Sequence, residues 1–435
     1  MCYAIPGKVV ELKGNKVVVD YFGERRVVRN DFYSELGLGD YIYAQGGFVI
    51  NIVPKDEAEE ILEFWRETFF SLREVDLRLS RITSNGGISK KTSLILDKAL
   101  EGRKLGFDEL LYLLSLEDEA ELQYLYKVAN FIRQKFHKNA CCVHGIIEFS
   151  NCCVENCLYC GIRRDNIELK RYRLSEEEIV KLAEEAVKKY GFRALVLQSG
   201  EDPYYDVDKL CWVIKHIMEN SAVLLFISVG EVGEEGLRKF YAAGARGALI
   251  RFETGNSALY SKLHPGDKLE NRLQEIKYAK EIGFLVLTGG LIGLPEQTKE
   301  DILKDILLAK EIGPEMYTFG PFLPHPQTPL ANENPPLFGM VLKTLAVLRI
   351  VDPEGKIVVT TAMETLKPHG GREEGFMAGA NSVMLNLTPE KYRQLYQIYP
   401  NRIHERDSID SQIKKVISDL QKLGRAPTDL GIREV

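Results

Sequence analysis

The sequence predicts an α/β protein in which a small N-terminal β-barrel and a helix precede a (β/α)8 barrel. Residues 1 to about 54 contain five short β-rich runs with turn residues between them. From Pro54 the apolar residues follow a helical period instead. After a helical stretch that ends near Lys138, eight apolar strand candidates alternate with helical segments. Eight such units are what a closed barrel needs, and an open doubly wound sheet is the structural alternative.

The N-terminal strands are predicted from runs rich in β-branched and aromatic residues. These runs are Lys8–Leu12, Lys16–Tyr21, Arg25–Arg29, Tyr41–Ala44 and Val49–Val53. The pairs Gly14-Asn15 and Gly46-Gly47 supply turn residues that tolerate a positive φ. We therefore expect the runs to form a small β-barrel.

A helix and a linker follow this barrel. Pro54 suits the first turn of a helix, and apolar residues then recur at Ala58, Ile61, Leu62, Trp65 and Phe69. Residues 82–90 are polar and rich in glycine, which is typical of a linker. The predicted domains are residues 1–80, a linker over 81–90, and the large barrel over 91–435.

The strand candidates of the large barrel are apolar runs. They are residues 145–150, 194–199, 223–229, 247–253, 284–291, 315–320, 357–361 and 380–386. Helical segments separate them, and Ser175–Tyr190, for example, opens with the polar string of a capped N-terminus. Chemistry in such a barrel lies where the strands end. Polar strings fall there at Gln198–Asp202, Ser228–Glu231 and Arg251–Thr254, which predicts a lined cavity.

Composition and charge exclude several classes of function. The chain has 435 residues, 45% of them hydrophobic and 28% charged, which suffices for a large core. A formal net charge of −6 argues against nucleic acid as the main partner. No apolar run approaches the length of a membrane span, and the N-terminus lacks a signal peptide. We therefore expect no membrane partner and a cytoplasmic location.

Four of the eight cysteines fall within nine residues of one another. Cys153, Cys157 and Cys160 have the spacing C-x3-C-x2-C, and Cys152 offers an alternative C-x4-C-x2-C frame. Three thiolates on one loop can hold three irons of a [4Fe-4S] cube and leave the fourth iron open, whereas four thiolates close the cube. A zinc site would need a second half of matching spacing, which does not follow. With Tyr159 before the last cysteine, the string has the form of radical S-adenosylmethionine (SAM) enzymes.

Several strand-end residues suit the groups of SAM. The cofactor must be held in a dry cavity, because a primary radical attacks whatever is near. Carbonyl and hydroxyl groups near Ser199–Glu201 suit an ammonium group, and Glu253 can accept hydrogen bonds from ribose hydroxyls. Arg272 offers a fork for the SAM carboxylate. Arg251 suits an anionic substrate or SAM.

The remaining cysteines and histidines carry weaker signals. We predict that Cys141, Cys142 and Cys211 are small buried residues rather than ligands. None of the seven histidines forms a metal pair by its spacing. His325 and His369 lie near the predicted rim loops, and a structural role is predicted for each.

From about residue 90 to the end, the chain resembles the HydE family, radical SAM maturases of [FeFe]-hydrogenase that are close to biotin synthase and methylornithine synthase. The matching strings are Ile147–Asn151 with the cysteines, Gly161–Asn166, Val196–Tyr204, Gly320–Thr328, Thr360–Met363 and Tyr392–Pro400. The resemblance implies a TIM-type radical SAM barrel with a [4Fe-4S] cluster on Cys153, Cys157 and Cys160. The implied SAM contacts are Tyr159, Gln198, Ser199, Gly200, Glu201, Glu253, Arg272 and Ile292. The implied substrate residues are Arg251, Thr360, Thr361 and Tyr396.

Residues 1–80 resemble the HypC/HupF chaperones of [NiFe]-hydrogenase assembly. The matching strings are Met1–Val9 and Gly47-Phe48. In that family the cysteine after the initiator methionine carries iron, which implies an Fe(CO)(CN) fragment on Cys2, where a soft thiolate is a suitable ligand. Two departures stand out. Gln45 occupies a place where the chaperones often have histidine, and no cysteine follows Tyr392, whereas some HydE proteins bind a second cluster there.

Together these resemblances imply an enzyme that joins an iron carrier to a radical SAM barrel. It would cleave SAM reductively to a 5′-deoxyadenosyl radical and act on a small-molecule or organometallic substrate in hydrogenase maturation. The expected partners are hydrogenase maturation proteins and an electron donor such as ferredoxin or flavodoxin. One alternative is a radical SAM mutase or lyase of a small amino acid, like methylornithine synthase. Another is a non-catalytic scaffold that carries iron and docks on a hydrogenase precursor.

Overall fold

The computed structural model describes residues 5–82, 87–429 and 432–433. Cys2, with its expected iron role, lies outside these residues, as does part of the predicted linker. Among the described residues, no helix combines the length and the apolar character that a membrane span requires.

The N-terminal strands form a small closed barrel. They are Gly7–Lys13 (β1), Lys16–Tyr21 (β2), Glu24–Arg29 (β3), Tyr41–Gln45 (β4) and Phe48–Val53 (β5). Antiparallel neighbours run in the order β3-β2-β1-β4-β5, and a parallel contact between Arg29 and Phe48 joins the two ends. Gly14, Gly46 and Gly47 have φ values of 63°, 56° and 76°, as expected for turn residues. All five predicted strands are therefore confirmed.

Four helices lead from the small barrel to the large one. They are Lys55–Ser80 (α1), Lys90–Leu100 (α2), Phe107–Leu114 (α3) and Glu119–His137 (α4). Helix α1 begins directly after Pro54, as the sequence predicts. Its carboxylate Asp76 is buried against α4, where Arg133 donates to both of its oxygens at 2.6 and 2.9 Å.

Eight parallel strands close the large barrel. The strands of this part of the chain are Cys142–Ser150 (β6), Ala194–Ser199 (β7), Leu224–Ser228 (β8), Gly247–Leu249 (β9), Leu285–Thr288 (β10), Leu291–Ile292 (β11), Met316–Tyr317 (β12), Gly320–Pro321 (β13), Lys356–Val359 (β14) and Ser382–Asn386 (β15). The closed order is β10-β12-β14-β15-β6-β7-β8-β9, while β11 and β13 pair separately above the barrel. The predicted eight-stranded barrel is confirmed, and the open doubly wound sheet is wrong.

Helices surround these strands. They are Glu176–Lys188 (α5), Val207–Asn220 (α6), Gly233–Ala243 (α7), Ser257–Leu263 (α8), Leu269–Ile282 (α9), Lys299–Ile312 (α10), Phe338–Val351 (α11), Thr361–Leu366 (α12), Gly371–Met377 (α13), Glu390–Arg393 (α14) and Ile409–Lys422 (α15). Helix α5 has the predicted capped start, because Ser175 Oγ accepts from the Glu178 amide and the Glu178 carboxylate accepts from the Ser175 amide. A last strand, Ile432–Arg433 (β16), pairs with β3.

The small barrel packs against the base of the large barrel, where the strands begin. One buried apolar cluster contains Tyr43 and Phe48 from the small barrel together with Leu224 and Met316 from the starts of β8 and β12. The turn at Gly46 approaches so closely that an added Cβ would lie 2.6 Å from Leu224 Cδ2. The strand ends and the cysteine loop lie at the opposite end. The sequence does not predict this arrangement.

Candidate active site

The cysteine loop follows β6, and Asn151 fixes its start. The Asn151 amide nitrogen donates to the carbonyls of Lys170 at 2.9 Å and Leu395 at 2.7 Å, and its oxygen accepts from the Tyr172 amide at 2.8 Å. Three distant segments thereby hold one side chain that is itself fully buried. The loop is positioned by hydrogen bonds that the sequence pattern does not reveal.

Cys152 and Cys153 face different surroundings. The Cys153 sulfur accepts from the Glu201 amide at 3.4 Å, whereas the Cys152 sulfur lies 3.9 Å from the Tyr172 carbonyl. Burial raises the pKa of Cys157 well above its usual value, and the nearby thiols of Cys160 and Cys153 raise it further. Burial likewise raises the pKa of Cys160 to about 12. Cys153, Cys157 and Cys160 therefore share one partly buried region.

The three thiols suit a cube better than a single ion. Among the described residues, no group of three or more His, Cys, Asp or Glu side chains is arranged to hold one metal ion. A [4Fe-4S] cube does not need such a group, because each of its three protein-bound irons takes one thiolate.

Gly200, at the end of β7, lets the cysteine loop pack closely. A Cβ on this residue would lie 2.2 Å from the Cys152 carbonyl oxygen and 2.8 Å from the Cys153 Cβ. The strand end and the loop therefore meet with no room for a side chain. This contact gives Gly200 a steric role in addition to the contact with SAM that the resemblance implies.

A cavity of about 170 Å³ lies beside the loop. Its walls combine apolar, hydroxyl, amide and charged groups from the loop, from the ends of β7 to β9, from the end of α8 and from α9. They are formed by Cys157, Tyr159, Gln198, Ser228, Gly230, Leu249, Ile250, Arg251, Glu253, His264 and Arg272. The structure thus brings together five residues predicted for SAM or substrate, namely Tyr159, Gln198, Arg251, Glu253 and Arg272.

Arg251 and Glu253 leave hydrogen-bonding capacity unused in this cavity. Arg251 Nη2 lies 3.0 Å from Glu253 Oε2, but the two atoms are not aligned for a hydrogen bond, and both are buried without a hydrogen-bond partner. Burial raises the pKa of Glu253, and the charges of Arg251 and Arg272 oppose this rise. Buried groups of this kind normally have partners, so the pair is suited to a polar ligand.

Glu253 also has an unusual backbone. Its φ of 62° lies in the left-handed region, which is strained for a residue with a side chain. The neighbouring Gly290 permits this conformation, because an added Cβ there would lie 2.6 Å from the Glu253 carbonyl oxygen. The fold therefore holds the Glu253 side chain toward the cavity at a cost in local conformational energy.

Arg272 lies between this cavity and a second one of about 260 Å³. Arg272 Nε is 3.0 Å from Glu231 Oε1, and Nη2 is 3.7 Å from Asp267 Oδ2. Burial raises the pKa of Glu231 to about 7, although the Arg272 charge opposes the rise. Glu201 joins the group by accepting from the Glu231 amide at 3.2 Å. A forked cation and several carboxylates thus line the second cavity, as a zwitterionic ligand requires.

Sequence reasoning assigned no role to His264. Its Nε2 lies 2.9 Å from the Tyr159 hydroxyl, and its ring stacks on Tyr260 with the centroids 4.1 Å apart. Burial lowers the pKa of His264 to about 4, so the ring is neutral near pH 7. Ser228 and Glu231 belong to a string that the sequence marks as polar, but His264 stands in no motif.

Arg251 and Thr361, two of the four predicted substrate residues, line different cavities. Thr361 lines a separate space of about 20 Å³ with Glu364 and Arg402, away from Arg251. Thr360 caps α12, because its hydroxyl accepts from the Met363 amide at 3.2 Å. Ile292, predicted to contact SAM, is fully buried in β11 and does not line either of the two larger cavities described above.

Tyr396 is fully buried beside an ion pair at the top of the barrel. Arg402 places its guanidinium 5.5 Å from the Tyr396 ring centroid and donates to Glu148 at 2.5 and 3.1 Å. Burial raises the pKa of Tyr396 well above its usual value, and Glu148 and Cys160 contribute to the rise. Tyr396 therefore lies within electrostatic reach of Cys160 and Cys153.

The other predicted structural residues are mostly confirmed. Cys141 and Cys142 are buried, as predicted, but Cys211 is only partly buried, because it lies on the outer helix α6. His325 is buried and its Nδ1 accepts from the Gln327 amide at 3.1 Å, which is a structural contact. His369 is exposed.

Two family models match separate parts of the chain. The model of the radical SAM superfamily matches residues 147–309, which contain the cysteine loop and the strands through β11. The model of the HupF/HypC family matches residues 1–65, which contain the small barrel. The division agrees with the two closed barrels of the structure.

Known proteins resemble the large barrel along most of their own length. The [FeFe] hydrogenase maturase subunit HydE of Thermotoga maritima is 44% identical over 333 residues, covering 77% of this chain and 94% of that protein. The 3-methylornithine synthase of Methanosarcina acetivorans is 33% identical over 335 residues, covering 76% and 93%. A crystal structure of methylornithine synthase aligns with a TM-score of 0.69 at 29% identity, covering 77% of this chain and 98% of that one.

Proposed function

This chain belongs to the radical SAM superfamily and, within it, to the HydE family, and on that premise we propose that it cleaves SAM reductively to a 5′-deoxyadenosyl radical. The reaction serves the maturation of an organometallic iron cofactor of hydrogenase type. When bound, a [4Fe-4S] cluster with one open iron supplies the electron that splits the carbon–sulfur bond of SAM. An N-terminal HupF/HypC domain precedes the enzymatic barrel.

The observation that carries this proposal is the Arg251–Glu253 ion pair in the cavity beside the cysteines, whose facing atoms have no aligned hydrogen bond. Arg251 Nη2 and Glu253 Oε2 are buried without hydrogen-bond partners, next to the thiol of Cys157. The charge attraction between the two groups does not use their hydrogen-bonding capacity, which a polar ligand can satisfy. Ribose hydroxyls can donate to Glu253, and an anionic group can accept from Arg251. The residues present therefore fit SAM and an anionic substrate.

The remaining residues have complementary roles in the proposal. Cys153, Cys157 and Cys160 hold the cluster. Arg272 donates to the SAM carboxylate, and the carboxylates of Glu201 and Glu231 attract its ammonium group. We also expect contacts with SAM from residues that carry no charge, namely Tyr159, Gln198, Ser199 and Gly200. Their packing against the loop keeps water from the reacting bond.

The N-terminal domain carries the iron part of the proposal. Cys2 binds an Fe(CO)(CN) fragment, and the large barrel acts on a ligand of that fragment. The covalent link between the two barrels supports this proposal, because a fused carrier raises the local concentration of its cargo. Electrons come from a donor such as ferredoxin or flavodoxin in the cytoplasm, and hydrogenase maturation proteins receive the product.

Anaerobic reconstitution of the full chain with iron, sulfide, dithionite and SAM tests the enzymatic part. We expect 5′-deoxyadenosine to form with the wild type and not with Cys157→Ala. A vibrational spectrum of anaerobically purified protein tests the iron part, since carbonyl and cyanide ligands give distinct stretching bands that Cys2→Ala should remove. If no 5′-deoxyadenosine appears with any substrate tried, the proposal fails.

A mutase or lyase of a small amino acid is the second candidate function. The 33% identity to 3-methylornithine synthase favours it. Cys2→Ala separates the two candidates, because a mutase would turn over a free amino acid at an unchanged rate. A non-catalytic scaffold makes the opposite prediction, namely that Cys2→Ala abolishes maturation while Cys157→Ala does not.

A further inference from the structure

The C-terminal end of α8 contacts the cysteine loop at two successive residues. The Leu158 amide donates to the Leu263 carbonyl at 2.9 Å, and the Tyr159 hydroxyl lies 2.9 Å from His264 Nε2. Leu158 and Tyr159 also pack against the apolar cluster that contains Leu263. The end of one short helix therefore holds both the backbone and a side chain of the loop, between the second and third cysteines of the cluster motif.

The two ring nitrogens of His264 have different partners. Nδ1 lies 3.0 Å from the Tyr260 carbonyl oxygen, which can only accept, so Nδ1 carries the proton. Because the ring is neutral near pH 7, Nε2 is an acceptor and the Tyr159 hydroxyl donates to it. The ring lines the cavity beside the cysteines, but both of its nitrogens are used within the protein. His264 is therefore suited to hold Tyr159 in place and not to bind a ligand by a hydrogen bond.

Tyr260 joins this contact to Arg272. The rings of His264 and Tyr260 stack with their centroids 4.1 Å apart and their planes 21° apart. The Tyr260 hydroxyl donates to Asp267 Oδ2 at 2.7 Å, and Arg272 Nε lies 3.4 Å from the same hydroxyl oxygen. His264 is 4% exposed, and Tyr260 is fully buried. A continuous series of contacts thus runs from Tyr159 in the cysteine loop to the guanidinium that the proposed function assigns to the SAM carboxylate.

The position of Tyr159 matters because of where its side chain lies. Tyr159 and Cys157 line the same cavity, so a shift of this ring changes the wall next to a cluster ligand. Without its acceptor the Tyr159 hydroxyl would lack a partner inside the protein, which is costly and favours a different side-chain position. A displacement of about 1 Å near reacting groups can slow a reaction on the order of a hundredfold.

We propose that His264 is a positioning residue for the cleavage of SAM. It accepts from the Tyr159 hydroxyl and so fixes the cysteine loop relative to Arg272. The inference rests on the proposed function, since it names a residue that prepares the same site. No bond to His264 forms or breaks, and the ring transfers no proton. We expect His264 to influence the rate of cleavage more than the affinity for SAM, because Glu253 and Arg272 supply the charged contacts.

A double-mutant cycle on the full chain with a reconstituted cluster tests this role. His264→Phe keeps a ring to stack on Tyr260 but removes the acceptor, and Tyr159→Phe keeps the ring but removes the donor. The rate of 5′-deoxyadenosine formation is measured per assembled cluster, with dithionite and saturating SAM. We expect each single variant to be about tenfold slower, with a dissociation constant for SAM that changes less than about threefold. The double variant should be no slower than the slower single variant, because the two residues act as one unit.

His369→Phe is the matched control, since His369 is exposed, and it should react as the wild type does. An equal loss of rate from His264→Phe in the wild type and in Tyr159→Phe would overturn the inference, because His264 would then act without Tyr159. If His264→Phe assembles too little cluster to be measured, Tyr159→Phe decides alone. A wild-type rate in that variant overturns the inference, and a fall of about tenfold supports it.

A second measurement separates this inference from the proposed function. The electron paramagnetic resonance signal of the reduced cluster reports on a ligand bound near its open iron, whether or not SAM is cleaved. We expect SAM to change this signal in the wild type and to give a different signal, the same in both, in His264→Phe and Tyr159→Phe. If the wild type forms no 5′-deoxyadenosine, the proposed function fails and this signal decides the inference. Identical signals in the wild type and both variants would overturn it.

Discussion

Neighbouring cysteines in one loop have different expected roles. Cys153 accepts from the Glu201 amide and lies with Cys157 and Cys160, whereas Cys152 turns toward Tyr172. We expect Cys153→Ser to lose most of its cluster, because an alcohol is a poor ligand for iron in a cube. Iron and sulfide content after anaerobic reconstitution measures this loss. Cys152→Ser is the control and should keep its cluster. Equal loss of the cluster in Cys152→Ser would favour the alternative C-x4-C-x2-C spacing, in which Cys152 is a ligand.

Glu253 is expected to bind SAM through its carboxylate oxygen Oε2, which has no hydrogen-bond partner in the described structure. Glu253→Gln keeps the size of the side chain but removes its charge, so we expect SAM affinity to fall about tenfold, equivalent to about 1.4 kcal/mol. Equilibrium binding to cluster-loaded protein provides the measurement. Glu270→Gln, on the exposed surface of α9, is the control and should bind SAM normally. Equal SAM affinity in Glu253→Gln and Glu270→Gln would show that Glu253 does not contact SAM.

Glu231 predicts a pH dependence near neutrality. Burial raises its pKa to about 7, so the folded protein favours the protonated acid. The raised pKa of Glu231 contributes to the free energy of unfolding fully at pH values below the ordinary carboxyl pKa. This contribution is lost as the pH rises through about 7. Above pH 7 the ionised group attracts the SAM ammonium, so we expect SAM affinity to rise up to tenfold between pH 6 and pH 8.

The test compares SAM binding at pH 6, 7 and 8 in the wild type and in Glu231→Gln. The informative quantity is the difference in pH dependence of SAM affinity between the two proteins, because the amino group of SAM also changes its protonation with pH. A slope that is the same in both proteins would show that Glu231 does not control binding.

At the residue scale, the sequence pattern brings several predicted residues to one place. Five residues predicted for SAM or substrate line one cavity. The pattern could not reveal His264, whose contacts with Tyr159 and Tyr260 depend on how α8 folds back. Nor could it show that Thr361 faces a different cavity. Side-chain direction at the end of a strand depends on local turns that a pattern does not encode.

At the scale of elements, the end of β7 and the cysteine loop act as one unit through Gly200. We expect Gly200→Ala to impair cluster assembly. The added Cβ would lie 2.2 Å from the Cys152 carbonyl oxygen, and relieving this clash would require the backbone of the cysteine loop to move. Cluster content and thermal melting measure the effect. Gly339→Ala, in α11, is the control, since its Cβ would meet nothing within 4 Å. That variant should be as stable as the wild type or slightly more stable.

The strands were predictable because apolar runs of the right length alternate with amphipathic helices. One difference that bears on the site is in β9, predicted over 247–253 but ending at Leu249. Beyond that point the chain leaves the regular ladder and reaches the left-handed conformation of Glu253. The prediction therefore failed at the residues that form the cavity, where local geometry serves the site instead of the sheet.

At the scale of the whole molecule, α1 ties the small barrel to the large one through a buried charge. Asp76 pairs with Arg133 on α4 at 2.6 Å and with Arg425 at 3.1 Å, and all three side chains are almost fully buried. Removing residues 1–80 would leave two arginines without this carboxylate and would expose the apolar base. A loss of one partner from a buried pair costs on the order of 3–5 kcal/mol.

We therefore expect a chain that begins at residue 87 to melt at a lower temperature and to associate in solution. Thermal melting and sedimentation velocity measure these two effects. Asp76→Ala in the full chain isolates the ion pair and should lower the melting temperature without causing association. A truncated chain that stays monomeric with an unchanged melting temperature would contradict this account.

The whole-molecule arrangement was beyond sequence reasoning. The two closed barrels were predictable from local patterns, and the family models agree with them. Their contact depends on surfaces such as the turn at Gly46 and the strand start at Leu224, whose complementarity is invisible in either segment alone.

The position of the small barrel leaves the cysteine loop accessible from the other end of the molecule. The small barrel covers the end of the large barrel where the strands begin, whereas the cysteines lie where the strands end. Under the proposed function, a redox protein approaches from above and a metal donor engages from below. The two proteins therefore do not compete for one surface, and the metal can be delivered while the cluster is being reduced.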